Sequence, residues 1–142
     1  MFDVVIQYLE RMSDGEARGF DQKDRNLAIA ALFYHLMAID DIIHPDEVER
    51  YREVLVRRFG ISGDRLNDMM DEARSTEAQF SGLFPLTTII NHECDEAQKQ
   101  SILAQMMDLA GSDGEFHPLE LEMIFNTAEL LKLPTPQISN AA

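Results

Sequence analysis

The residues best suited to chemistry sit in two short acidic stretches, AIDDIIHPDEVE over residues 38–49 and AGSDGEFHPLELE over residues 110–122. Laid over one another at an offset of 73 residues without gaps, they pair Asp40 with Asp113, Ile43 with Phe116, His44-Pro45 with His117-Pro118, Glu47 with Glu120 and Glu49 with Glu122. Two of only four histidines and two of five prolines fall at matching places, a coincidence that chance rarely produces. Carboxylates at this density could ligate a divalent cation. The candidate ligands are Asp40, Asp41 and Glu47 in the first stretch and Asp113, Glu115 and Glu120 in the second. His44 and His117 would add nitrogen donors, which suit zinc or another transition metal.

The same residues have a structural reading. Proline at the first position of a helix loses nothing by lacking an N–H, and a glutamate two residues later can reach back to the free amides of the first turn. Glu47 and Glu120 occupy that third helical position, so capping alone accounts for them. Asp40 and Asp113 lie at the C-terminal end of the preceding helical segment, where the helix dipole disfavours a carboxylate. Compensation could come from an Asx-type turn, a backbone amide or a cation. The run Asp113-Gly114 through Glu120 matches the second half of an EF-hand loop. The first half is missing: the leading ligand positions hold Leu109 and Gly111 in one copy and Leu36 and Ala38 in the other, and Asp41 replaces the turn glycine of the first copy. An ordinary calcium loop is therefore not expected. Nor do the stretches supply the three or four close Cys and His ligands of a structural zinc site.

No catalytic set assembles elsewhere. Cys94 follows His92 and Glu93 too closely for a nucleophile and base to face one another, and it reads as an inert thiol. Phosphate loops, nucleophile elbows and zinc-protease helices are absent from the sequence. The expected protein is not an enzyme. His35, inside an apolar run, reads as a satisfied core or interface residue, and the eight methionines fit core stripes or an adaptable partner groove.

The elements that must hold the two stretches are helices, because apolar residues recur at helical spacing throughout and no alternating run reads as a strand. The spacing predicts helices over about Phe2–Met12, Asp24–Ile39, Pro45–Phe59 with Gly60 ending it, a shorter one after Ser62 along Leu66, Met69, Met70 and Ala73, Leu83–Asn91, one capped by Asp95, and Pro118–Leu131. The segment Leu27–Ile39 is apolar except for His35, too short for a bilayer span of about 20 residues and suited to a helix buried on nearly all sides. The fold class is thus all-α, a bundle of about seven helices containing two pseudo-symmetric helix–loop–helix repeats over about 24–60 and 97–133, within a single domain spanning 1–134 and followed by a frayed tail at 135–142.

Composition bounds the partners. The chain has 142 residues and a formal charge of −14, from 26 acidic against 12 basic residues. Residues 75–142 hold 10 of the acids and only 2 of the bases. Such a surface repels a phosphate backbone and an anionic membrane alike, so neither nucleic acid nor membrane insertion is expected. A basic protein partner suits it better, and a homodimer is a further form to test. The single cysteine forms no disulfide within the chain, and the N-terminal residues lack a basic start followed by an apolar core, which makes the cytoplasm the expected location.

The paired stretches resemble the acidic corners of the TerB-like family, the helical domain of bacterial tellurite-resistance proteins, which is also similar to the N-terminal region of a membrane-linked J-domain co-chaperone. The resemblance extends over about residues 24–133. It implies a helical domain of about seven helices with a pseudo-twofold arrangement, working in cytoplasmic metal and chemical stress responses. It also implies a cation held by the corners, at Asp40, Glu47, Asp113 and Glu120 with Asp41 and Glu115 as neighbours; calcium, zinc and manganese are the ions to consider. Asp41 departs from the family's usual glycine.

Overall fold

A computed structural model describes residues 22–39, 45–79, 83–111 and 116–136. Six helices account for almost all of them: α1 Gln22–Ala38, α2 Pro45–Phe59, α3 Gly63–Gln79, α4 Phe84–Glu93, α5 Glu96–Ala110 and α6 Pro118–Leu130. No strand occurs among the described residues. The all-helical expectation holds, and the helix expected over Phe2–Met12 lies outside the described residues.

The centre of the bundle is α1. Its residues from Leu27 to Phe33 are all buried, and it packs against α2, α3, α4 and α5. A helix apolar all round has no face to offer water, so the other helices lay their own apolar stripes on it. Phe33, Leu36, Leu55, Ile89, Ile90, Ile102, Met106 and Ile124 are wholly enclosed in one continuous core. Tyr51 is enclosed too, and its hydroxyl donates to the Ala30 carbonyl at 3.0 Å, which satisfies the one polar atom it brings inside.

Helix ends follow the sequence signals. Gly60 ends α2 at φ 64°, a left-handed conformation that glycine enters without penalty, and its N–H donates to the Val56 carbonyl at 2.9 Å. Asp95 caps α5: its carboxylate accepts from the Gln98 N–H at 2.8 Å while Gln98 Oε1 accepts from the Asp95 N–H at 2.9 Å. Helix α6 ends with Lys132 in the left-handed region at φ 61°, and the Leu133 N–H reaches back to the Ala128 carbonyl at 2.9 Å as Leu133 folds into the core.

One helix departs from expectation. The segment after Ser62 was expected to be short, yet α3 runs for 17 residues, as long as α1. Its last turns lack an apolar stripe and are held by tertiary contacts instead. Thr76 is fully enclosed, returning its hydroxyl to the Glu72 carbonyl at 2.7 Å, and Glu77 meets His35 Nδ1 of α1 at 2.8 Å. That pairing confirms His35 as a satisfied residue at a helix–helix interface.

Candidate functional site

The two corners lie between α1 and α2 and between α5 and α6, so the repeat seen in the sequence is a repeat of helix–loop–helix units. Each second helix begins at the proline of its His-Pro pair, Pro45 or Pro118, which places Glu47 and Glu120 at the third helical position of α2 and α6. Both carboxylate side chains are buried, Glu47 at 7% exposure and Glu120 at 6%, and they are the only buried charged residues among those described. A carboxylate leaves water only where hydrogen bonds or an opposite charge replace its hydration. For Glu120 part of that replacement is visible: Oε1 accepts from the His117 N–H at 3.0 Å. Both glutamates engage further partners.

His117 completes the cap from the other direction, because its Nδ1 accepts from the Leu119 N–H at 3.1 Å. That bond uses the lone pair on Nδ1. An imidazole used in this way does not offer Nδ1 to a metal. Phe116 packs its ring against the core and against Gly111, where an added Cβ would come within 3.1 Å of the ring.

Of the sequence-predicted ligands, the structure describes Glu47, Glu120 and His117. Asp40, Asp41, His44, Asp113 and Glu115 lie outside the described residues. No group of three or more His, Cys, Asp or Glu side chains gathers in a metal-binding arrangement among the described residues.

His92 and Glu93 do meet, Nδ1 to Oε2 at 2.6 Å, but on the exposed side of the helix end. Cys94 itself is buried, and burial pushes its thiol above the usual range, with Arg25 and Arg58 pulling partly against that shift. A thiol held protonated is a poor nucleophile, in keeping with an inert role.

Sequence reasoning missed two surface features. A cleft of about 700 Å³ is rimmed by Leu83, Phe84 and Leu119, with Glu122 and Glu129 beside them; Phe84 is 67% exposed and Leu119 43%. Neither residue breaks helical periodicity, so only their positions relative to neighbouring helices reveal the patch. A second cleft, lined by Arg25 and Arg58, joins residues more than thirty positions apart and has no linear signature.

An all-helical bundle with two equivalent acidic helix–loop–helix corners defines a class of small helical module. The chain belongs to the TerB family: the model of that family, described as tellurite resistance protein TerB, matches residues 26–142. No curated protein matches the chain, and no solved structure does. No helix among the described residues is long and apolar enough to cross a membrane.

Proposed function

We propose that the chain is a non-enzymatic binding module of the bacterial metal and chemical stress response, whose two acidic corners hold a divalent cation. The observation that carries this reading is the burial of Glu47 and Glu120. They are the sole buried charged residues among those described, and they stand at the same helical position in both copies of the repeat. Burial at the same place in both copies gathers carboxylate oxygen at each corner, beside the partners these glutamates already engage, and such oxygens are the ligands a hard cation takes. The cation would take further oxygens from Asp40 and Asp41, near Glu47 in sequence, and from Asp113 and Glu115, near Glu120. Native mass spectrometry in calcium or manganese tests this. Bound ion is expected in the wild type and absent after Asp40→Ala combined with Asp113→Ala; an ion-free wild type contradicts the proposal.

A second reading treats the corners as helix caps and the protein as a structural interaction domain. The reciprocal His117–Glu120 cap favours it, as does the cleft at Phe84 and Leu119, whose acidic rim suits a basic partner. On this reading, calcium or manganese leaves the melting temperature unchanged.

A further inference from the structure

The cleft at the junction of α1, α2 and α5 runs against the charge of the whole molecule. In a chain with a formal charge of −14, its described lining includes two guanidinium groups, Arg25 and Arg58, and no carboxylate. The remainder is largely neutral and polar, with Gln22, Asn26 and Gln98 supplying amides and Cys94 forming part of the wall. The volume is about 400 Å³, within the range of small-molecule sites.

Neither arginine is neutralised among the described residues. The ion pairs found there use Arg50, Arg74, His35 and His92. Arg58 Nη1 donates to Ser101 Oγ at 3.1 Å and to Gln105 Oε1, both uncharged. These bonds orient the guanidinium and leave other donors of its fork without a carboxylate. The two carboxylates nearest in sequence to Cys94 are committed, Asp95 to the α5 cap and Glu93 to His92. The two arginines also act on each other and on one sulfur. Burial lowers the Arg58 guanidinium's affinity for its proton and Arg25 adds to that effect; at the Cys94 thiol burial pushes upward, both arginines draw downward, and the more weakly acting Asp95 and Glu93 push upward again. Like charges gathered in a half-buried cleft are costly unless an anion joins them, and a planar fork matches the oxygens of phosphate or carboxylate.

We propose that this cleft binds a small oxyanion, a phosphate or carboxylate group held between Arg25 and Arg58 with the cleft amides as further donors. Cys94 contributes a neutral wall and a built-in reporter. The site is separate from the acidic corners and does not depend on the cation reading.

Titration of the full chain with inorganic phosphate and with acetate, followed by NMR at constant ionic strength against a chloride control, tests the assignment. Saturable shifts at the cleft are expected from at least one of the two, and the pair tells phosphate chemistry from carboxylate chemistry. Arg25→Gln, at a side chain with no hydrogen bond to another described residue, should fold and bind about tenfold or more weakly. Arg58→Lys keeps the charge, loses the fork and should also weaken binding. The favoured anion should shift the Cys94 amide resonance in the wild type and much less in Arg25→Gln. No saturable shift with either anion, binding unchanged by Arg25→Gln, or a Cys94 resonance that saturating anion leaves in place would overturn the proposal.

Discussion

At the first turn of α6, Glu120 accepts the His117 N–H while His117 accepts the Leu119 N–H, so two side chains satisfy two amides that the helix leaves open. Without added metal, replacing Glu120 with alanine should cost about 1 kcal/mol in chemical denaturation, the usual worth of a cap, and in calcium or manganese the cation reading expects a larger loss. A loss several times larger would mean that the carboxylate does more than cap. Tyr51 permits a second test. Burial, with Tyr34 nearby, raises its phenol above the ordinary value, so the unfolded chain ionises first. Stability from this group is complete below about pH 10 and is lost as pH rises beyond it. Tyr51→Phe should cost about 1 kcal/mol at neutral pH, because the Ala30 carbonyl loses its donor, and should flatten the alkaline fall in a denaturation series across pH. The glutamate's role could be read from the sequence, since Pro at the first helical position and Glu at the third form a local pattern. That Glu47 and Glu120 are buried could not, because burial depends on which helices close over the corner.

Helix boundaries were legible wherever a residue acts locally, through its own backbone or through a cap on the adjoining turn. Pro45, Gly60, Asp95 and Pro118 each mark an end that the structure keeps. The length of α3 was not legible, because its last turns depend on Thr76 and on the contact of Glu77 with His35, two helices apart in sequence. A double-mutant cycle on His35→Ala and Glu77→Ala should show coupling of about 0.5–1.5 kcal/mol, and additivity would remove this pairing as the reason for the long helix. Gly60 isolates the backbone contribution. Nothing lies within 4 Å of an added Cβ there, so Gly60→Ala meets no neighbour, and a loss of about 1 kcal/mol in thermal or chemical unfolding would be the strain of a left-handed alanine. Gly111 is the opposite case, with the Phe116 ring 3.1 Å from the added atom; the first copy carries Ala38 and the smaller Ile43 at the matching positions.

Across the whole molecule, the charge of −14 looked uniform only as a total. The structure separates it into a buried pair of glutamates at equivalent corners, acids beside the Phe84 cleft, and one cleft where arginines gather without them. The family and the helical architecture were readable from the repeat, because one corner pattern occurs twice with its flanking helices in register. The arginine cleft was hidden, since it exists only once α1, α2 and α5 are packed. The central claim is that the corners hold a divalent cation, and calorimetric titration of calcium and of manganese into the wild type and into the Asp40→Ala plus Asp113→Ala variant tests it most directly. Saturable heat in the wild type that disappears in the variant is the predicted result; no binding by the wild type, or binding unchanged in the variant, would contradict it.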